Sequence, residues 1–464
     1  MIRAAAFDAG ARVAVLGLGV SGTAAARLAR RQNAEVYASD RASGSAQRES
    51  VDLLRGLGID AEAGRHDMEK ILASDLVVTS PGIGPFSEVR QAVTRAGIPT
   101  IAEVELAYRS LRSRVIGITG TNGKTTATQL TTHLLASSGI DAEAVGNVGR
   151  PLSECALSDR QPDWVVVELS SFQLADLVEF ETEIGVLLNL APDHLDRYRD
   201  LDSYYADKAR LFERASENPA WVLNADDAAV LRLAEGASGR RYLFSTEQEI
   251  EIGAWVGSER TLLGRMEPHS APRRWASLED LGLLGRHNLA NALAACVAAV
   301  LAGADPDRIP AALRSFEGLP HRLQAVAERS GVLWVDDSKA TNVAAAVAAV
   351  TAFDRPVILL LGGRHKGQPY DAIADAAQGR VRAVIAFGEA APLIVPAMKD
   401  AVESVITESG LDAAVRTASD LARAGDVVLL APACSSYDMF PNYAARGRAF
   451  EAAVLALTGS GGGS

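Results

Sequence analysis

The sequence predicts an α/β protein of three domains, and two observations support this prediction. The chain has 464 residues, which is more than a single hydrophobic core usually organises. Three segments begin with a short apolar strand that runs into a polar or glycine-rich turn and then a helix. They start at Arg12, at Arg114 and after Pro320. Strands that alternate with helices are typical of parallel, doubly wound sheets.

We place the domain boundaries near residues 112 and 318. The predicted domains are a Rossmann-like N-terminal domain (1–111), a central phosphate-loop ATPase-like domain (112–318) and a Rossmann-like C-terminal domain (319–458), followed by a flexible tail (459–464). Strands are predicted at 12–16, 35–38, 75–79, 114–119, 163–168, 184–189, 332–336, 356–361, 383–387 and 426–430. Residues 240–285 contain Gly and Pro at many points and are predicted to be irregular or antiparallel.

Composition excludes several classes of protein. The net charge is −12 and there is no basic tract, so nucleic acid is not an expected partner. No apolar run reaches the ~18 residues of a membrane span, and the alanine-rich stretch 289–304, which contains Asn291, is predicted to be buried core. The N-terminus lacks a signal-peptide pattern. The three cysteines have no paired spacing, which indicates a reducing compartment, so we expect a cytoplasmic protein.

The central chemical signal is the run GITGTNGKTT over residues 117–126, between a strand and a helix. Glycines in such a run let backbone N–H groups turn inward around phosphate oxygens, lysine meets the outer phosphates, and a hydroxyl ligates magnesium. The strict pattern has glycine where this chain has Ile118, so the match is to a variant. A glycine-rich turn that merely precedes a lysine is the alternative, and the flanking strand and helix argue against it.

Magnesium needs further oxygen ligands beside the Thr125 hydroxyl. Glu168 ends a predicted strand and emerges at the carboxyl edge of the sheet, where ligands bind in open α/β sheets. His194 and Asp196 follow the next strand in the same way. A lone histidine is often structural, so its position after a strand end is what favours a functional role.

A second glycine pattern, Gly17-x-Gly19-x-x-Gly22, follows the first strand, and Asp40 follows the second. This arrangement fits the dinucleotide fingerprint and would also suit an NAD-dependent oxidoreductase. That alternative leaves the separate phosphate loop without a use. The turn can hold the pyrophosphate of another nucleotide, with Asp40 on a hydroxyl.

Three polar loops follow strands of the third domain. They are DDSKATN (336–342), GGRHKG (362–367) and PACSSYDMF (432–440). Any one of them could be an ordinary connection or a helix cap. Because all three leave the same edge of a parallel sheet, together they predict a binding surface.

Together these segments resemble the Mur ligases of bacterial cell-wall synthesis, along essentially the whole chain apart from the tail. The phosphate-loop segment is also found in folylpolyglutamate synthases and indicates only the superfamily. The discriminating segments are SPGI (80–83), ELSSFQL (168–174), HLDRY (194–198), DSKATN (337–342) and the loop at 432–440. They resemble the family members that add D-glutamate to UDP-N-acetylmuramoyl-L-alanine.

The resemblance implies three groups of binding residues. Residues expected at the UDP substrate are Val20, Ser21, Asp40, Arg41, Gly82, Asn147, Gln173 and His194. Residues expected at ATP are Gly120, Thr121, Asn122, Gly123, Lys124, Thr125, Thr126, Asn288, Asn291, Arg322, Asp337 and Lys339. Residues expected at D-glutamate are Thr341, Lys366, Ser436, Tyr437 and Tyr443. Tyr437 and Tyr443 replace the leucine and phenylalanine of some members.

The resemblance also implies catalytic and metal-binding roles. Lys124, Glu168, His194 and Lys208 are the expected catalytic residues, and Thr125, Glu168, His194 and a carbamylated Lys208 are the expected ligands of two magnesium ions. A carbamate turns the lysine cation into a carboxylate ligand, and burial of the amine would assist this. Judged from the sequence alone, Lys208 would be an exposed helical lysine.

The reaction implied by the resemblance joins two small molecules at the cost of ATP. The alanine carboxylate is phosphorylated to an acyl phosphate, and the amine of D-glutamate then displaces phosphate. A monomer is expected. The alternatives are another Mur-type or folylpolyglutamate-type amide ligase, an NAD-dependent oxidoreductase and a non-catalytic nucleotide-binding module.

Overall fold

The computed structural model describes residues 6–147, 149–193, 198–213 and 215–457. The chain forms two compact units. The first comprises the residues up to 190 together with 199–278 and 291–312, and it contains two β-sheets. The second comprises 191–198, 279–290 and the residues from 313 onward, and it contains a third sheet.

The first sheet has five parallel strands in the order β3-β2-β1-β4-β5. The strands are β1 (Arg12–Leu16), β2 (Glu35–Asp40), β3 (Asp60–Ala63), β4 (Leu76–Thr79) and β5 (Thr100–Ala102). The helices are α1 (Val20–Arg31), α2 (Ser45–Gly56), α3 (Met68–Leu72), α4 (Glu88–Arg95) and α5 (Glu103–Tyr108). β1 and β4 are almost wholly buried, as their uninterrupted apolar sequences predict for strands covered on both faces.

The second sheet has nine strands in the order β14-β13-β12-β11-β10-β9-β6-β8-β7. They are β6 (Arg114–Thr119), β7 (Ala142–Gly146), β8 (Trp164–Glu168), β9 (Thr182–Leu187), β10 (Ala215–Asn224), β11 (Arg240–Ser245), β12 (Gly253–Val256), β13 (Thr261–Arg265) and β14 (Arg273–Ser277). The prediction for residues 240–285 was partly wrong. β11 and β12 pair in parallel and extend the main sheet, and only β13 and β14 are antiparallel.

Seven helices lie in the middle part of the described chain. They are α6 (Lys124–Ser137), α7 (Leu152–Leu157), α8 (Ser171–Ala175), α9 (Leu201–Ala209), α10 (Ala228–Leu233), α11 (Arg286–Leu301) and α12 (Ile309–Ser315), with short 3-10 turns at Arg210–Phe212, Leu278–Asp280 and Pro306–Arg308. The alanine-rich helix α11 is buried along residues 292–299, which confirms that it is core. Small side chains let a helix approach its neighbours closely, so alanine suits this position.

The third sheet has six strands in the order β15-β16-β20-β17-β18-β19, with only β15 antiparallel. They are β15 (Gln324–Arg329), β16 (Val332–Asp336), β17 (Val357–Gly362), β18 (Val381–Phe387), β19 (Ser404–Glu408) and β20 (Val427–Leu430). The helices are α13 (Val343–Val350), α14 (Asp371–Ala377), α15 (Ala391–Met398), α16 (Leu411–Leu421) and α17 (Tyr443–Ala456). The predicted α/β fold with three sheet-based domains is confirmed, while the boundaries near 112 and 318 stay a prediction.

Two carboxylates, a buried one on Glu105 and a half-buried one on Asp176, join the first two sheets within the first unit. Glu105 on α5 accepts hydrogen bonds from the backbone N–H groups of Val178, Glu179 and Phe180, at 2.9–3.1 Å. Arg90 on α4 makes a two-point contact with Asp176, at 2.7 and 2.8 Å. Bidentate pairs of this kind fix orientation as well as distance, so the N-terminal domain is held firmly against the segment that follows α8.

Of the helices in the described ranges, none combines the length and the apolar character that crossing a lipid bilayer requires.

Candidate active site

The glycine-rich loop lies between β6 and α6, as predicted. Gly123 has φ +83° and Gly120 has φ +153°, which side-chain-bearing residues rarely adopt. A Cβ atom on Gly123 would lie 2.2 Å from Asn291 Oδ1, so glycine is also required by the close approach of α11. α6 begins at Lys124 directly after the loop. Its first N–H groups and dipole therefore face the concave side, where an anion can bind.

Asn189, which follows β9, fixes the shape of this loop. Its backbone O accepts from the Thr121 N–H (3.0 Å), its Oδ1 accepts from the Asn122 N–H (2.8 Å), and its Nδ2 donates to Asn122 O (3.0 Å). Three hydrogen bonds between Asn189 and the loop hold the loop in this conformation. In the sequence, Asn189 is distinguished only by its place at the end of a predicted strand.

Two lysine ammonium groups converge on the loop. Lys124 Nζ donates to the carbonyl oxygens of Gly120 and Thr121, both at 2.9 Å. Lys208 Nζ donates to the same Gly120 oxygen at 2.8 Å and lies 4.9 Å from the centre of the Tyr204 ring. Lys208 is only 1% exposed. The alternative of an exposed helical lysine is therefore wrong, because the side chain of Lys208 on α9 is buried against the glycine-rich loop.

Glu168 lies beside the same loop, because β8 pairs with β6 so that Glu168 is opposite Ile118. Its side chain is buried, and Asn147 Nδ2 donates to Oε1 at 3.1 Å. The other oxygen, Oε2, is buried and has no hydrogen-bond partner among the described residues. A buried carboxylate oxygen without a partner is costly unless a cation binds it. With the Thr125 hydroxyl at the start of α6, this donor set fits a magnesium ion.

The other residues predicted to bind ATP or the UDP substrate near this loop lie on several different elements. Gln173 accepts from Ser170 N–H in a capping box at the start of α8, and its buried Nε2 has no partner within the described ranges. Asn288 belongs to the second unit, where its Nδ2 donates to Leu284 O at 2.8 Å. Thr126 is buried on α6. His194 lies outside the described residues.

The turn after β1 has the close packing that its glycines predict. A Cβ on Gly22 would lie 1.8 Å from Gly17 O, so only glycine fits where α1 meets this turn. Asp40 accepts from the N–H groups of Leu18 and Ala42, both at 2.8 Å. Asp40 thus shapes the turn directly, a role that the fingerprint did not predict. Four other residues predicted at the UDP substrate follow β1, β2 or β4 and are partly or fully exposed. They are Val20, Ser21, Arg41 and Gly82.

In the second unit, the polar segment after β16 is largely buried. Burial raises the pKa of Asp337 to about 7, against the opposing effect of the Arg322 guanidinium. The neighbouring Asp336 contacts His321 Nδ1 at 2.6 Å. Lys339 places its Nζ 4.1 Å from the centre of the Tyr443 ring. Lys339, predicted at ATP, and Tyr443, predicted at D-glutamate, are therefore in contact.

Arg446 on α17 connects the three loops that the sequence predicted as a binding surface. Its guanidinium is fully buried and donates to Ser338 Oγ and O (both 2.9 Å), to Cys434 O (3.1 Å) and to Gly362 O (3.3 Å). These acceptors follow or end β16, β20 and β17. Burial lowers the pKa of Arg446 to about 10, which leaves it charged at neutral pH.

The residues predicted for D-glutamate lie on those loops. Lys366 Nζ is 3.8 Å from Asp193 Oδ1, and Asn342, next to Thr341, donates to Asp193 Oδ2 at 2.9 Å. Ser436 is buried, whereas the Tyr437 side chain is 65% exposed. Asp193 thus links the loop after β17 to the segment after β16.

Sequence reasoning missed four residues of these surfaces: His66, Asn189, His321 and Arg446. Each acts through a partner distant in sequence, such as Ser39 for His66 at 2.8 Å. His321 alone carried a usable signal, because it follows Gly-Leu-Pro directly before Arg322.

Comparison with known proteins identifies the class. Three family models match the chain in order: the MurD-like N-terminal domain of Mur ligases over residues 11–102, the Mur ligase middle domain over 118–299, and the Mur ligase glutamate ligase domain over 321–434. The chain belongs to the Mur ligase family. It is an ATP-dependent enzyme that forms amide bonds, which agrees with the phosphate loop described above.

Individual relatives are similar over nearly their whole length. The chain is 42% identical to the UDP-N-acetylmuramoylalanine--D-glutamate ligase of Acidobacterium capsulatum, over 97% of each chain. It is 38% identical to the ligase of the same name from Caldanaerobacter subterraneus, over 96% of this chain and 98% of the relative. It is also 42% identical to that of Anaeromyxobacter dehalogenans, over 95% and 96%.

Solved structures share the fold at low sequence identity. The UDP-N-acetylmuramate-alanine ligase MurC of Thermotoga maritima superposes with a TM-score of 0.58 at 18% identity, over 96% of this chain and all of that chain. The MurF ligase of Thermotoga maritima, solved in complex with ADP, gives a TM-score of 0.58 at 18% identity, over 91% and 95%.

Proposed function

We propose that this enzyme joins D-glutamate to UDP-N-acetylmuramoyl-L-alanine in the synthesis of a peptidoglycan precursor. One observation carries the chemistry. The Lys124 ammonium contacts the glycine-rich loop after β6, and the neighbouring strand β8 ends in Glu168. Glu168 Oε2 is buried and has no hydrogen-bond partner among the described residues, so it suits a cation. That arrangement suits transfer of a phosphoryl group. The similarity to D-glutamate ligases along the whole chain supports the choice of substrates.

The reaction has two steps in this proposal. An oxygen of the alanine carboxylate attacks the γ-phosphorus of ATP, and ADP leaves. The D-glutamate nitrogen then attacks the carbonyl carbon of the acyl phosphate, loses a proton, and phosphate leaves. Lys124 and the N–H groups at the start of α6 hold the β- and γ-phosphates and offset the charge on the transferring oxygens.

Magnesium is assigned to Thr125, Glu168 and His194, with a carbamate on Lys208 for a second ion. A divalent cation held by these residues would offset the charge of the triphosphate and polarise the transferring group. The protein's own contribution is to aim Glu168, which Asn147 orients through Oε1. ATP is further assigned to Gly120, Thr121, Asn122, Gly123 and Thr126, with Asn288, Asn291, Arg322, Asp337 and Lys339 as the remaining contacts.

The two other substrates are assigned to separate surfaces. For the UDP substrate the residues are Val20, Ser21, Asp40, Arg41, Gly82, Asn147, Gln173 and His194. For D-glutamate they are Thr341, Lys366, Ser436, Tyr437 and Tyr443. Ammonium and hydroxyl groups on the loop surface tied together by Arg446 suit the two carboxylates of D-glutamate. We further propose that the enzyme is a monomer and lies in the cytoplasm, because ATP and nucleotide-linked precursors are available there.

One assay tests this proposal against its alternatives. Phosphate release from ATP is expected only when UDP-N-acetylmuramoyl-L-alanine and D-glutamate are both present, with L-glutamate as the matched control. A folylpolyglutamate-type ligase would not respond to the UDP substrate, and another Mur-type ligase would require a different amino acid. An oxidoreductase or a non-catalytic module would release no phosphate. Any of these three patterns would contradict the proposed substrates.

Lys208 is predicted to carry a carbamate when magnesium is bound. Carbon dioxide reacts only with the neutral amine, and the Lys208 side chain is almost completely buried, at 1% exposed. A crystal structure of the magnesium-loaded enzyme should show density for the added carbon and both oxygens beyond Nζ. Lys208→Arg keeps the charge but cannot be carbamylated, and it should lose most activity. An unmodified amine beside an occupied metal site would count against the prediction.

A further inference from the structure

Residues 224–227, here called the β10 turn, begin with the last residue of β10, and the reaction proposed above does not use them. β9 lies between β6 and β10 in the second sheet and pairs with both in parallel. Leu187 at the end of β9 is opposite Thr119 on one side and Leu223 on the other. The residues that leave β9 therefore lie between the glycine-rich loop, which follows β6, and the β10 turn.

Two side chains of the β10 turn hold the backbone on either side of Asn189. Asn224 Nδ2 donates a hydrogen bond to Leu188 O at 2.9 Å. Asp227 Oδ2 accepts a hydrogen bond from the Leu190 N–H at 2.8 Å. Leu188 and Leu190 are themselves buried. The chain leaving β9 is therefore fixed immediately before and immediately after Asn189.

The two carboxylate oxygens of Asp227 have different partners. Oδ1 accepts hydrogen bonds from the N–H groups of Ala229 and Val230, at 2.9 and 3.2 Å, and so caps the start of α10. Oδ2 accepts from Leu190, which lies outside that helix. A helix cap needs one side-chain oxygen, which serine or asparagine supplies about as well as aspartate does. Capping of α10 therefore accounts for one oxygen of Asp227, and the hold on Leu190 accounts for the other.

Asn189 connects the β10 turn to the glycine-rich loop. Its backbone and side chain make three hydrogen bonds with Thr121 and Asn122, at 2.8–3.0 Å. A phosphate loop must hold its N–H groups at fixed positions, because a displacement of about 1 Å can lower a rate on the order of 100-fold. Asn189 can fix the loop only if its own backbone is fixed. Asn224 and Asp227 supply that constraint.

We propose that Asn224 and Asp227 are positioning residues for ATP, which set the place of the glycine-rich loop through Asn189. Neither side chain touches the nucleotide in this proposal. The inference rests on the assignment of ATP to the glycine-rich loop made above. It predicts that a change at Asp227 weakens the binding of ATP and leaves the binding of UDP, which is assigned to the domain of the first sheet, unaffected.

Direct titration of the full-length enzyme with magnesium-ATP, and separately with UDP, tests the inference. Asp227→Ser keeps a good helix cap, but its single oxygen lies one bond closer to Cβ and cannot also reach the Leu190 N–H. We expect this variant to bind ATP about 10-fold more weakly, the effect of one buried hydrogen bond, and UDP as tightly as the wild type does.

Asp67→Ser is the matched control for the loss of a carboxylate at a helix cap. Asp67 caps α3 through the N–H groups of Glu69 and Lys70, just as Asp227 caps α10, and α3 belongs to the domain of the first sheet. The control should leave the affinity for ATP unchanged. Equal weakening of ATP binding in both variants, or equal weakening of ATP and UDP binding in Asp227→Ser, would overturn the inference.

A double-mutant cycle with Asn189→Ala separates positioning from general support of the fold. If Asp227 acts through Asn189, the double variant should bind ATP no more weakly than Asn189→Ala alone. Losses that multiply, or an unchanged ATP affinity in Asp227→Ser, would overturn the inference and leave the proposed function intact. Should Asp227→Ser fail to fold, Asn224→Ser, which removes the donor to Leu188 O, takes its place in the cycle with the same expected results. Failure of the wild type to bind ATP would overturn both the inference and the proposed function.

Discussion

Lys124→Ala is expected to lower the rate of phosphate release by on the order of 10³-fold or more. The ammonium lies 2.9 Å from two carbonyl oxygens of the phosphate loop, where it can move onto the β- and γ-phosphates without rebuilding the backbone. Preorganised charge of this kind acts mainly on the transition state. The measurement is the turnover number with all substrates saturating.

The fold should survive this change, because the three hydrogen bonds of Asn189 to Thr121 and Asn122 still hold the loop when the two hydrogen bonds from the lysine are lost. Thermal unfolding and circular dichroism of the variant should therefore match those of the wild type. Lys399→Ala, at an exposed lysine of the third domain, is the matched control and should keep full activity. A Lys124→Ala enzyme with activity within tenfold of the wild type would refute the role of the phosphate loop.

Arg446→Met should lower the free energy of unfolding of the second unit by about 3–5 kcal/mol. The variant leaves buried carbonyl oxygens of Ser338, Gly362 and Cys434 without their donor. Because these oxygens belong to the loops assigned to D-glutamate, the KM for D-glutamate should rise more than the KM for ATP. Denaturant unfolding and steady-state kinetics measure the two effects.

Arg448→Met is the control for that experiment, since Arg448 lies two residues further along α17 and is exposed. It should change stability by less than about 0.5 kcal/mol. Arg446→Lys restores a charge but cannot reach all three loops at once, and it should give an intermediate result. Unchanged stability and an unchanged KM for D-glutamate in Arg446→Met would show that the loops are organised in another way.

The fold was largely predictable because its strands are short, uninterrupted apolar runs that lead into glycine or polar turns. β6, β8, β16 and β20 all have this form, and each has a neighbouring strand on both sides in its sheet. The parallel pairing of β11 and β12 was not predicted, because neither strand is an uninterrupted run of branched apolar residues. β11 begins with two exposed arginines, and its parallel pairing depends on neighbours far along the chain.

The candidate site was predictable where its chemistry is local in sequence. The loop at 120–126 carries its own glycines, lysine and hydroxyls, and Glu168 follows from its place at a strand end. Arg446 could not be predicted, because an arginine in an alanine-rich helix next to Arg448 has the pattern of a solvent-exposed residue. His66 depends on Ser39, which only the pairing of β2 with β3 brings near.

The central claim is that the backbone around Gly123 holds the triphosphate of ATP beside a divalent cation. A crystal structure with magnesium and a non-hydrolysable ATP analogue tests it most directly. We predict the β- and γ-phosphates within hydrogen-bond distance of the N–H groups of residues 122–125, with the cation between Thr125 and Glu168. An analogue bound elsewhere while this loop stays empty would contradict the account.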